Sequence, residues 1–219
     1  MDNSEIFSHI DHTVLRATTA AAEIDALCEE AEKYGTASVC IPACYVSYVK
    51  NKFPSVRICT VIGFPLGYST CRVKCFEAAD AVENGADEID MVINICEVKN
   101  GNFAYVEQEI AEVKKACSGK ILKVIIETCY LTDEEKIRLC GCVTRAGADY
   151  IKTSTGFGTA GAKIEDIMLF RSHIGGGVKM KAAGGVRTRS DLEMFLNAGC
   201  DRIGTSSAVR LLTEVGENG

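Results

Sequence analysis

The chain has 219 residues, a net charge of −6 and twelve cysteines, and none of its apolar runs approaches the length of a membrane span. An acidic balance with no basic cluster excludes a general nucleic-acid binder. The start, Met1-Asp2-Asn3-Ser4-Glu5, lacks a signal-peptide apolar core, and no shift of composition divides residues 1–219, so a single cytoplasmic domain is expected.

The predicted elements alternate from end to end. Residues 1–10 read as a short leading helix and 10–15 as a strand. A helix follows over 20–34, with Ile24, Leu27, Ala31 and Tyr34 at helical spacing and Gly35 as its stop. Then come a strand over 37–42, a helix over 45–53 closed by Pro54, a strand over 57–64, a helix over 70–84, a strand over 88–94, a helix over 103–117 and a strand over 121–127. Thr132-Asp133-Glu134-Glu135 opens the next helix as an N-terminal signature, and Gly147 ends it. The remaining strands fall over 150–154, 178–182 and 202–205, and the remaining helices over 163–173, 189–197 and 207–215.

Three helix–strand joins repeat one phrase: Asn84-Gly85-Ala86-Asp87, Ala146-Gly147-Ala148-Asp149 and Ala198-Gly199-Cys200-Asp201. Each is a helix-ending glycine and a short turn into a strand. Eight such units in about 200 residues predict a closed (β/α)8 TIM barrel behind a short leading helix. An open doubly wound sheet is the alternative, but the G-x-G-x-x-G turn after the first strand is missing.

The closest cysteine pairs, Cys40/Cys44, Cys71/Cys75 and Cys140/Cys142, do not have the C-x-x-C spacing of a structural zinc site. Most cysteines are expected to be small buried hydrophobes, not disulfides, in a reducing compartment. His9, His12 and His173 lack metal-ligand spacing, so no metal is assigned.

In a barrel, ligand chemistry gathers at the C-terminal strand ends. Strand parity puts Glu88 with Asp90, Lys123 with Glu127, Tyr150 with Lys152 and Ser154, and Lys179 with Lys181. Lysines and acids therefore meet inside if these faces point inward. Taken alone, Lys152 reads either as a paired strand lysine or as a desolvated amine able to attack a carbonyl. A second ammonium beside it, such as Lys181, would disfavour its proton, and Asp90 would move protons directly or through water. Lowering a lysine from about 10.4 to about 7 makes about half of it nucleophilic. Ala182-Ala183-Gly184-Gly185-Val186-Arg187-Thr188 and Gly204-Thr205-Ser206-Ser207 follow the seventh and eighth strands, where barrels often bind phosphate; ordinary tight turns are the other reading. Gly156 offers a third backbone contact.

Five stretches in this order resemble the deoxyribose-phosphate aldolases, class I aldolases on a TIM barrel. They are Glu88-Ile89-Asp90-Met91-Val92, Leu122-Lys123-Val124-Ile125-Ile126-Glu127-Thr128, Tyr150-Ile151-Lys152-Thr153-Ser154-Thr155-Gly156, Lys181-Ala182-Ala183-Gly184-Gly185-Val186-Arg187-Thr188 and Arg202-Ile203-Gly204-Thr205-Ser206-Ser207. The resemblance implies reversible cleavage of 2-deoxy-D-ribose 5-phosphate to acetaldehyde and D-glyceraldehyde 3-phosphate. It gives Lys152 the imine, Lys181 the lowering of its pKa, and Asp90 the proton relay. Thr155 would meet a substrate hydroxyl, and Gly184, Gly185, Gly204, Ser206 and Ser207 the phosphate. It implies no cofactor, a small phosphosugar as partner, and a homodimer. The chain departs from some relatives in two ways. Phe157 stands where they carry a lysine, with Arg187 as the compensating cation, and no tyrosine occurs in the tail up to Gly219, so proton transfer is expected to rest on Asp90 and water. A barrel isomerase using the same phosphate loops, and a sugar-phosphate binder without chemistry, are the competing functions.

Overall fold

The computed structural model describes residues 1–213. Eight parallel strands close into a barrel in sequence order. They are β1 (Ile10–Thr13), β2 (Ser38–Ile41), β3 (Ile58–Ile62), β4 (Glu88–Val92), β5 (Ile121–Ile125), β6 (Tyr150–Lys152), β7 (Lys179–Ala183) and β8 (Arg202–Thr205). The leading helix α1 (Asn3–Phe7) starts at Asp2, whose side chain accepts from the Glu5 N–H at 2.7 Å.

The helices are α2 (Ala21–Tyr34), α3 (Val46–Lys52), α4 (Cys71–Glu83), α5 (Ile95–Lys99), α6 (Phe103–Ala116), α7 (Asp133–Arg145), α8 (Ile164–His173), α9 (Arg189–Asn197) and α10 (Ala208–Thr213). Thr132 and Glu135 cap α7 reciprocally, and Thr188 and Asp191 cap α9 in the same way. The sequence spacing predicts every strand and every long helix. It misses α5, a five-residue helix capped by Asn94, which is too short to show periodicity. The last helix is predicted to Val215; its final two positions, and the tail in which no tyrosine occurs, lie outside the described residues.

Parity organises the interior. Ile89 and Met91 of β4, Leu122 and Val124 of β5, Ile151 of β6 and Ile203 of β8 face outward into the apolar layer beneath the helices. Their neighbours Glu88, Asp90, Lys123, Lys152, Lys181 and Arg202 face inward and are buried. Register then sets the heights: Asp90 pairs with Lys123, Lys152 with Lys181, and Lys181 with Arg202. Lys179 shares the parity of Lys181 but sits at the entry of β7, exposed and against the Tyr150 ring. Seven of the twelve cysteines are buried, as small hydrophobes would be, while Cys44 and Cys96 are exposed.

Candidate active site

Lys152 is the last residue of β6 and is only 3% exposed. Its Nζ donates to Asp90 Oδ2 at 2.7 Å. Lys181 Nζ donates to the same oxygen, also at 2.7 Å, so the two amines lie no more than twice that distance apart. The predicted trio of Lys152, Lys181 and Asp90 is thus one contiguous cluster.

The cluster continues downward through residues that sequence reading left without a role. Lys181 Nζ lies 2.5 Å from Asp11 Oδ2. Lys123 Nζ reaches Asp90 Oδ1 at 2.8 Å and Glu88 Oε2 at 2.6 Å. Arg202 donates to Asp11 at 2.5 Å and to both oxygens of Glu88 at 3.0 and 3.1 Å. Asp11 and Arg202 are single charges in four-residue strands. Only the β1–β8 closure and the register bring them under the lysines.

The charges hold one another ionised. Burial pushes the Asp90 carboxyl up, but Lys123, Lys152 and Lys181 outweigh it and hold it well below the usual carboxylate range. Burial likewise pulls Lys181 down, and Asp11 and Asp90 reverse it, so Lys181 stays a cation above the usual lysine range. Lys123 follows the same logic, burial against Asp11, Asp90 and Glu88. Lys152 therefore has a fixed cation close by, and the only carboxylate it touches among the described residues, Asp90, is shared with two other ammonium groups.

Donor atoms of Cys40, Cys59 and Asp90, and of Asp11, Cys59 and Glu88, lie within 4.8 Å of one another. Their carboxylates are already taken by lysine and arginine, a set that suits ammonium groups better than a metal ion.

Above Lys152 opens a cavity of about 380 Å³. Thr155, Gly156, Gly184, Gly185, Gly204, Ser206 and Ser207, all singled out from sequence, line it together with Lys152. A larger cavity of about 620 Å³ at the opposite end of the barrel touches Ser38 and Arg202 but none of the lysines of the cluster. Size does not mark the site here; the reactive groups do.

The loop geometry explains the glycines. Gly184 and Gly185 have φ of 80° and 77°, open to glycine without strain. The loops after β6 and β7 press together where the Ala162 N–H donates to the Ala183 and Gly184 carbonyls at 3.0 and 3.1 Å. A Cβ on Gly161 would stand 2.3 Å from Gly184, so Gly161 is a second requirement of this seam, unmarked in the sequence reading. Gly204 faces inward, where a Cβ would come within 3.1 Å of the Lys181 stem. Its smallness gives that side chain room. The Thr155 hydroxyl donates to Glu127 and accepts from the Phe157 N–H at 2.9 Å, so its proton is committed within the protein. Burial raises the Glu127 carboxyl above its usual range. Phe157 sits at the rim, edge-to-face with Phe64 at 5.3 Å between ring centres.

A (β/α)8 barrel with buried lysines gathered on one carboxylate beneath a top-face cavity is a reactive-lysine barrel enzyme. Comparison makes the class particular. Residues 6–207 match the family model described as DeoC/LacD family aldolase. The chain is 58% identical over 213 residues to a deoxyribose-phosphate aldolase of Clostridium botulinum (strain Alaska E43), covering 97% of this chain and 96% of the relative. It is 55% identical over 211 residues to one of Clostridioides difficile (strain 630), covering 94% and 95%. Among solved structures, a tetrameric deoxyribose phosphate aldolase from Aeropyrum pernix superposes with a TM-score of 0.91 at 33% identity, covering 99% of this chain and 93% of that one. The chain belongs to the DeoC/LacD aldolase family.

Proposed function

We propose that the chain is a deoxyribose-phosphate aldolase in which Lys152 is the nucleophile. The reaction is the reversible cleavage of 2-deoxy-D-ribose 5-phosphate to acetaldehyde and D-glyceraldehyde 3-phosphate. The Lys152 amine adds to the aldehyde carbon of the open-chain sugar, and loss of water gives the iminium. Removal of the proton from the hydroxyl on the third carbon breaks the bond between the second and third carbons. The electron pair moves into the iminium, leaving an enamine, and glyceraldehyde 3-phosphate departs. Protonation of the enamine and hydrolysis then release acetaldehyde and free Lys152.

The observation that carries this reading is the shared Asp90 oxygen, 2.7 Å from both amines. Lys181 is pinned by two carboxylates as a cation, and Lys152, held by one, is the amine that attacks the substrate. Asp90 is the group that relays protons during the reaction, with water completing the path. The glycine loops and Ser206 and Ser207 receive the phosphate through backbone N–H groups, and Thr155 takes its place beside the substrate by releasing Glu127. The reading includes a cytoplasmic homodimer acting as one domain over residues 1–219; no helix among the described residues is long and apolar enough to cross a membrane.

Acetaldehyde release from deoxyribose 5-phosphate, followed with an alcohol dehydrogenase couple, tests it. The unaltered chain is expected to release acetaldehyde, and Lys152→Met none. Full turnover in Lys152→Met would refute the assignment.

A further inference from the structure

The side chains around the cavity carry a charge pattern that the aldol chemistry alone does not require. In a chain of net charge −6, the lining holds three cations, Arg16, Lys152 and Arg187, and no carboxylate. Lys152 is consumed by the imine, so two cations remain to face an anionic substrate. Phe157, on the loop after β6, contributes none.

Arg16 owes its position to barrel closure. β1 pairs with β8, so the loop that follows Thr13 runs beside the end of β8 at Gly204 and the loop with Ser206 and Ser207. Arg16 also lines a neighbouring cavity of about 390 Å³ bounded by Phe64 and Tyr45, so it stands on the ridge between the two spaces. Its guanidinium is held by Glu23, and both side chains of the pair are largely open to water. Exposed pairs of this kind are weak and readily exchanged. Glu23 also accepts from the Ala20 N–H at 3.0 Å, so its carboxylate keeps a partner when Arg16 leaves. A phosphate dianion offers the guanidinium more charge and a bidentate fit.

We infer that Arg16 is a specificity-determining residue that exchanges Glu23 for the phosphate of the substrate. In the free enzyme it rests on Glu23 at the rim; with sugar phosphate bound it closes over the dianion from the β1 side, opposite the glycine loop after β7. The inference rests on the sugar-phosphate reading above and adds a residue and a resting partner to it.

The test compares deoxyribose 5-phosphate with deoxyribose, and uses inorganic phosphate as a competitive inhibitor. In Arg16→Met the ratio of kcat/KM for the two sugars is expected to fall by about tenfold or more, chiefly through KM, and inhibition by phosphate to weaken by a similar factor. Arg16→Lys should fall between, since an ammonium keeps the charge and loses the fork. Glu23→Gln should lower KM for the phosphorylated sugar. An unchanged ratio and unchanged phosphate inhibition in Arg16→Met would overturn the inference while leaving the aldolase reading in place. Failure of the unaltered chain to cleave either sugar would sink both.

Discussion

Two buried charge clusters in this molecule behave in opposite ways. Inside the barrel, Asp11, Glu88, Asp90, Lys123, Lys181 and Arg202 interlock, with Lys152 at the top. In the helix layer, Lys74 of α4 and Glu109 of α6 form a lone pair at 2.9 Å, with no exposed side-chain surface on either. Contact distances and burial are nearly the same, yet the shifts differ in sign. In the barrel, burial is outweighed at Asp11, Asp90, Lys123, Lys181 and Arg202, which are held in their charged forms. In the helix layer burial wins: it lowers Lys74 and raises Glu109, Coulomb attraction notwithstanding. The number of opposite charges around each group, not the length of any one contact, decides whether an ion survives burial. A single partner does not compensate desolvation, and two or more do. The barrel cluster can therefore keep a permanent cation next to Lys152, which a lone pair could not do.

Removing the hub should have the largest effect. Asp90→Asn takes away the one carboxylate shared by three lysines; kcat is expected to fall by about 10²- to 10⁴-fold, and stability to urea by about 3–5 kcal/mol, since the buried Lys152 loses its counter-charge and Lys123 and Lys181 each lose one of theirs. A variant with near-normal kcat would show that the hub is structural only.

The lone pair should be replaceable where the cluster is not. Lys74→Met alone leaves Glu109 buried and should cost about 3–5 kcal/mol. Lys74→Met with Glu109→Leu should recover most of that loss, within about 1–2 kcal/mol of the parent, because an apolar contact suits the site. Glu109 also accepts from the Asn94 N–H at 3.0 Å, so the part not recovered measures that bond. Equal loss in the single and double variants would contradict the comparison.

The smallest effect concerns pH. Asp11 and Asp90 lie below the ordinary carboxylate value of 3.8 when folded, so their stabilisation is complete above that value and is lost as pH falls below it through their lowered values. Lys123 and Lys181 lie above 10.5, so theirs is present below 10.5 and lost as pH rises through their raised values. Glu109 works the other way. Raised above 4.5, it takes a proton more readily folded than unfolded, so its own contribution to stability grows as pH falls from its raised value to 4.5. Glu109→Gln should then lose urea stability relative to the parent as pH falls over that window, by no more than about 1.4 kcal/mol per pH unit. An unchanged slope would mean that Glu109 titrates normally.

Much of the fold was legible because a strand-then-helix unit repeats eight times and glycines such as Gly35, Gly85, Gly147 and Gly199 end several of the helices. The candidate site was legible in part. Parity marked Asp90, Lys123, Lys152 and Lys181 as sharing the interior, and the loop position of Gly184 and Gly185 marked the cavity wall. What parity cannot give is height. It placed Lys179 with Lys181, although the first lies at the solvent rim and the second at the centre. It also grouped Glu127 with Lys123, whereas Glu127 leaves the strand with a φ of 56° and turns to Thr155. Asp11 and Arg202 went unmarked because their partners, Lys181 and Glu88, lie on other strands at matching depth, a fact of register and not of local pattern.

The central claim is that Lys152, and not the carboxylate-locked Lys181, forms the bond to the sugar. Borohydride reduction during turnover of deoxyribose 5-phosphate, followed by digestion and mass spectrometry, tests it directly. The account predicts a reduced adduct on the peptide carrying Lys152 and none on that carrying Lys181; an adduct on Lys181, or undiminished turnover with no adduct on either, would contradict it.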